Sequence, residues 1–224
     1  FLKRLNEMIR EERAQEREII RHARKINVEG REILIHDNSR TIQRVLKAFK
    51  KDGKHFRVIV AEQDPDKTGA IIHALHKSHI PFRVVPSYMI SHLDDHIDMV
   101  FLAGLTLKST MDFVMDPGTN ALVSQFHLMK KPIYMFMATS KFSMWKSKKK
   151  LGVYSHIHQR RHHCQPINFE RIKFSHDRVP AKLMDKIVTE QGIFTPARIE
   201  TVFNKKLKER LIIDKEFQKS LKKE

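Results

Sequence analysis

The residues able to do chemistry stand in short polar clusters that follow apolar runs. They are His36-Asp37-Asn38-Ser39-Arg40, Glu62-Gln63-Asp64-Pro65, Ala103-Gly104-Leu105-Thr106 and Asp116-Pro117-Gly118-Thr119, with Lys141 behind a last run. Asn38, Ser39 and Arg40 open a helical pattern, and Gly118-Thr119 opens another. Free N–H groups and the helix dipole favour an anion at such places, so these five residues and Lys141 are candidate anion ligands. Ser39 and Thr119 suit ordinary helix N-caps equally well. The 7 glycines are scattered, with neither a dinucleotide fingerprint nor a phosphate-binding loop, and no cofactor is expected.

A second chemistry is electrostatic. There are 43 Lys and Arg against 26 acids, a net charge of +17, and no acid stands between Asp116 and Glu170. Long acid-free basic stretches face polyanions or acidic proteins, or are simply solvated surface. Lys146, Lys148, Lys149, Lys150, Arg160 and Arg161 are the candidate RNA contacts. Trp145 and Phe142 among the lysines can stack on bases, although Phe142 can equally pack under a sheet edge. His156, His158, His162, His163 and Cys164 form a zinc-competent set, but their spacing matches no zinc module and no metal site is expected. A single Cys164 excludes an internal disulfide.

The elements that must position these residues follow from periodicity. Residues 2–26 read as one exposed, charged helix, with Leu2, Leu5 and Ile9 interrupted by Glu12 and Glu16. Strands are expected at Ile33–His36, Arg57–Ala61, Phe82–Val85, Met99–Ala103 and Ile133–Met137. Helices are expected at Ser39–Lys51, Lys67–Lys77, near Tyr88–Leu93 and at Asn120–Met129. Apolar runs without alternation, separated by amphipathic helices, imply a parallel sheet covered on both faces. The fold class is therefore α/β, a Rossmann-like doubly wound sheet with an N-terminal helix and a C-terminal helical extension. Residues 141–166 read as a long basic loop, Asn168–Phe174 as a further strand, and Pro180–Glu190 as a helix. From Thr195-Pro196 a last helix carries the stripe Ile199, Val202, Phe203, Leu207 and Leu211, and residues 196–221 read as a docking helix rather than a disordered tail. The expected organisation is a charged helix at 1–29, a core domain at 30–196 and a helical tail at 197–224. With 41% apolar residues the chain can bury a sizeable core, and no run is long enough to cross a membrane. The sequence begins at Phe1 rather than Met, so the absence of a signal-type stretch carries no information about targeting.

The ordered set ILIHDNSRTIQRVLKAFKKDGKHFRVIVAE (33–62), PFRVVPSYMISH (81–92), DMVFLAG (98–104), GTNALVSQFHLMKKPIYMFMATSKF (118–142) and VPAKLMDKIVTEQGIFTP (179–196) resembles one family. It is that of the α, β and δ subunits of the initiation-factor-2B exchange factor, which also contains ribose-1,5-bisphosphate and methylthioribose-1-phosphate isomerases. The resemblance runs from about residue 30 to 196, with the basic segment unmatched. It implies pairing into homo- or heterodimers through this domain. Of the N-terminal helical domain that it also implies, this sequence contains the helix at 2–26. For the isomerases it implies a Cys and an Asp in proton transfer, an Asn-Lys pair and an Arg on the substrate. The matching positions here are Asp37, Leu105, Met115-Asp116 and Asp64. A leucine cannot transfer a proton, and acids in place of phosphate partners repel the phosphate.

The expectation is accordingly a protein without catalytic residues, a regulatory or scaffolding subunit in translation that works through protein contacts. A competing expectation is an accessory protein of a large RNA assembly such as a ribosome, anchored by the basic segment. A third is a sensor of sugar phosphate or nucleotide that uses the surviving anion subsite. The resemblance implies a cytoplasmic protein, with the mitochondrial matrix as the alternative and no membrane partner.

Overall fold

The computed structural model describes residues 2–36, 38–62, 65–144, 153–162 and 165–221, with the backbone alone for 153–162, 165–168, 171, 173 and 213–221. Asp37, Asp64, Trp145, Lys146, Lys148, Lys149, Lys150, His163 and Cys164 lie outside the described residues.

In chain order the first half holds α1 (Leu2–Ala23), β1 (Arg31–Ile35), α2 (Arg40–Lys51), β2 (Phe56–Glu62), α3 (Pro65–Lys77), β3 (Phe82–Pro86) and, after a 3-10 stretch at Ser87–His96, β4 (Met99–Ala103). Then come β5 (Thr106–Lys108), β6 (Asp112–Met115), α4 (Thr119–Leu128), β7 (Ile133–Phe136) and β8 (Phe142–Ser143). The chain continues with β9 (Val153–His162), β10 (Gln165–Phe174), β11 (Asp177–Pro180), β12 (Lys186–Thr189), β13 (Gly192–Phe194) and α5 (Pro196–Leu221).

The main sheet has the order β13-β12-β7-β4-β1-β2-β3 and is parallel except for β13, which runs antiparallel to β12. Its central strands β1, β2, β4 and β7 lack polar alternation because both faces are buried. On one face Ile33, Ile35, Val58, Val60 and Phe101 pack beneath α1, α2 and α3 through Ile19, Ile42, Leu46, Phe49, Ile71 and Leu75. On the other, Leu34, Ile59, Val100 and Leu102 pack against Ile90, Leu122, Phe126, Ile199 and Phe203 of the 3-10 stretch, α4 and α5. A second sheet, β11-β6-β5-β8, extends that core with Leu107, Phe113, Met115, Phe142 and Val179. The doubly wound α/β expectation is met.

Three local expectations are corrected. Pro180–Glu190 is not a helix: β11 ends at Pro180, a 3-10 turn spans Ala181–Leu183, and β12 follows. The buried set Met184, Ile187 and Val188 mimics helical spacing. Two contacts with the start of β7 decide for the strand: Asp185 accepts the Ile133 N–H at 2.8 Å and donates its own N–H to the Ile133 carbonyl at 3.0 Å. Secondly, residues 141–166 are not one loop. They hold β8, β9 and the start of β10, and the strand expected at Asn168–Phe174 is the second half of β10. These strands were hidden because their polar and basic residues give no apolar alternation. Thirdly, α1 is exposed only along its first part, since Ile19, His22 and Ala23 are buried and His22 Nδ1 lies 2.9 Å from the Thr189 carbonyl. The small strands β5, β6, β11 and β13 were not expected, being too short to carry a periodic signal.

Candidate functional site

A cleft of about 670 Å³ opens at the carboxyl ends of β1, β4 and β7, where doubly wound sheets bind ligands. Asn38 and Ser39 line it from the turn before α2, Arg40 and Arg44 from α2 itself, Gly104 and Leu105 from the turn after β4, and Ser140 and Lys141 from the turn after β7. Ile9, Glu12, Arg13, Gln15, Glu16 and Ile19 cover it from α1. Four of the six expected anion ligands, Asn38, Ser39, Arg40 and Lys141, line this cleft, and Gly118 and Thr119 stand behind it, next to Asp116 in the chain. Gly104 permits the close packing of the floor, because a Cβ there would lie 3.3 Å from Phe113 Cδ1.

Four of the cations lining the cleft, Arg40, Arg44, Lys67 and Lys141, meet groups of the protein itself. Arg40 pairs with Glu12 at 3.8 Å, and Arg44 pairs with Glu16. Gln15 accepts a hydrogen bond from Ser140 at 2.9 Å, which ties α1 to the far wall. Lys67 of α3 donates to Asp116 at 2.7 Å, and Lys141 approaches the Gly104 carbonyl at 3.4 Å. Ser39 is the N-cap residue of α2 but makes no side-chain cap bond, and Asn38 instead accepts from Gln43 at 2.7 Å. At the mouth the Leu105 side chain is 57% exposed. Met115 is fully buried, so of the Met115-Asp116 pair Asp116 alone reaches the cleft.

The start of α4 is already served by a carboxylate. Asp177 Oδ2 accepts the N–H groups of Gly118 and Asn120, each at 2.9 Å. This satisfies two orphan donors and places a negative charge against the positive end of the helix. Sequence spacing could not reveal that cap, which comes from β11. Asp177→Ala is expected to cost about 1–2 kcal/mol of stability by urea denaturation, and Asp177→Asn less, since the amide oxygen keeps an acceptor. Equal losses in the two variants would show that the cap is not what Asp177 contributes.

Thr119 is buried and gives its hydroxyl proton to the Asp116 carbonyl at 2.7 Å. His36 Nδ1 lies 3.1 Å from the same hydroxyl oxygen, so the ring donates from Nδ1. Burial lowers the His36 pKa to about 4, against the opposing pull of Asp116 and Asp177. His36 is thus a neutral packing element beneath the cleft, and Gly118, at a φ of +92°, lets the backbone pass its ring.

Of the RNA candidates, Arg160 and Arg161 are placed on β9. Among the described residues no group of three or more His, Cys, Asp or Glu is arranged to hold a metal ion, and no helix is long and apolar enough to cross a membrane.

A parallel doubly wound sheet with a small accessory sheet and a cleft at its strand ends defines a class of α/β proteins. Within that class, the profile of the Initiation factor 2 subunit family matches residues 1–196, and this chain belongs to that family. The translation initiation factor eIF2B subunit delta of Dictyostelium discoideum is 22% identical over 233 residues, covering 96% of this chain and 37% of the relative. This chain therefore spans little more than a third of that relative's length. The crystal structure of the Pyrococcus horikoshii translation initiation factor eIF-2B superposes with a TM-score of 0.75 at 23% identity, covering 88% of this chain and 70% of that one. The 5-methylthioribose 1-phosphate isomerase of the same organism shares the fold, with a TM-score of 0.71 at 18% identity, over 88% of this chain and 59% of that one.

Proposed function

We propose that this chain is a non-catalytic member of its family, acting through protein contacts as a regulatory or scaffolding subunit in translation and pairing through the family domain. The observation that carries the reading is the self-occupied cleft. Arg40 and Arg44 answer to Glu12 and Glu16, and Lys67 to Asp116. An incoming sugar phosphate would have to displace those carboxylates and would meet their repulsion. At the mouth, Leu105 stands where the resemblance implies a proton-transferring acid, and it has no proton to move.

The expected result is no turnover of ribose-1,5-bisphosphate or methylthioribose-1-phosphate, and no change in melting temperature with inorganic phosphate. In Glu12→Gln/Glu16→Gln the arginines are released, and phosphate at tenfold over its Kd should raise the melting temperature by about 3 °C. Turnover by the unaltered chain that vanishes in Leu105→Ala would overturn the reading.

A second reading, an accessory protein of a large RNA assembly, is favoured by the net charge of +17 and the basic β9–β10 hairpin. Co-sedimentation of the native protein with ribosomes, rather than association with initiation factor 2, would decide for it.

A further inference from the structure

β9 and β10 form a two-stranded antiparallel ribbon, each strand 10 residues long, that pairs with no third strand among the described residues. Its register runs from Val153 opposite Phe174 to His162 opposite Gln165. Residues directly opposite share a face, and faces alternate along each strand. The register therefore sorts the basic residues. Tyr154, His156, His158 and Arg160 fall on one face of β9, and opposite them on the same face stand Lys173, Arg171 and Phe169. That face carries no Asp or Glu. Arg161, although adjacent to Arg160, falls on the other face with Glu170, Ile172 and Phe174.

We propose that the Arg160 face of this ribbon is a docking surface for single-stranded RNA. The proposal rests on the second reading above and deepens it. Arg171 and Lys173 are successive same-face positions about 7 Å apart, within a Debye length at physiological salt, and Arg160, opposite Ile167, extends the basic face about 13 Å further along the ribbon. Tyr154 and Phe169 supply aromatic positions among them, and Phe169 is 38% exposed, as stacking on unpaired bases requires. An isolated two-stranded ribbon is marginal in water. A polyanion bound across both strands of this face holds them together.

The test uses the full chain and a fluorescent oligouridine in anisotropy titrations across salt. Arg160→Ser/Arg171→Ser/Lys173→Ser should weaken binding at least tenfold near 0.1 M salt and lower the slope of log K against log salt by about 2, for three phosphate contacts. A charge-matched control on exposed helix positions, Lys47→Ser/Lys51→Ser/Lys77→Ser, and the opposite-face variant Arg161→Ser should each change affinity less than threefold. Melting curves of all variants should coincide within a degree. If the two triple variants lose affinity equally, the chain binds RNA but not through this face, and the proposal fails while the RNA reading stands. If the unaltered chain shows no binding at 50 mM salt, both fail. A loss confined to Ile172→Ser/Phe174→Ser would make the opposite face the docking surface and also overturn the proposal.

Discussion

Phe203→Ala is expected to destabilise the protein by about 3–5 kcal/mol and to lower its melting temperature by roughly 10 °C. Phe203 lies on α5, the helix beyond the segment matched by the family, and its ring is fully buried against Phe142 with centroids 5.3 Å apart. Ile199, one turn earlier, is equally buried, and Lys206 reaches the Thr139 hydroxyl that Glu190 also engages. The start of α5 is therefore part of the core rather than an appendage. The cost of the substitution is the lost transfer energy of the ring together with the cavity left between α5, β8 and the main sheet. Leu211 lies further along the same stripe but is 51% exposed, so Leu211→Ala should change stability by less than about 0.5 kcal/mol. Urea denaturation of the two variants separates a docked helix from a loose one. If Phe203→Ala is as mild as Leu211→Ala, α5 does not pack on this domain in solution. The exposed Leu211 and Ile212 lie beyond that docked segment.

Acidification should remove on the order of 3 kcal/mol of stability through His36 alone. In the unfolded chain the imidazole takes a proton near its ordinary pKa of about 6.5, whereas burial holds the folded value at about 4. Above 6.5 the ring is neutral in both states and contributes no pH dependence. As the pH falls from 6.5 towards 4 the unfolded state binds a proton that the folded state does not, and stability drops by about 1.4 kcal/mol per unit. Below 4 both states are protonated and the His36 contribution levels off. His36→Asn keeps a donor for the Thr119 hydroxyl and has nothing to titrate. The fall in unfolding free energy between pH 7 and pH 4.5, measured by urea denaturation, should be smaller in the variant by about 2–3 kcal/mol. Identical pH profiles for the two proteins would show that His36 is not held neutral.

The main sheet was legible because its causes are local. Ile33-Leu34-Ile35, Arg57–Ala61 and Met99–Ala103 are short apolar runs, and a strand buried on both faces needs no alternation. The helices between them, and α5, keep their apolar residues three and four apart because a helix brings those positions to one side. The same local rule misread 180–190. Met184, Ile187 and Val188 satisfy helical spacing, and only the neighbouring β7, through Asp185 and Ile133, turns the segment into a strand. It also left β9 and the start of β10 as loop. A ribbon of polar and basic residues has no apolar period, and its pairing appears only when the strands are set side by side.

For the cleft, the sequence by itself determined which residues gather at the strand ends, since that follows from where each strand stops. It did not determine what those residues meet. Glu12 and Glu16 reach Arg40 and Arg44 across 28 positions of sequence, and Asp177 caps α4 from 57 residues downstream of Asn120. Whether Arg160 stands with Arg171 or apart from Arg161 was equally undecided until the register was known. Propensity and periodicity act along the chain, whereas a charge or an orphan N–H responds to whatever lies within a few ångströms in space. Only the tertiary structure, by bringing α1 over the cleft and β11 beside α4, decided that these cations and donors are answered from within the protein.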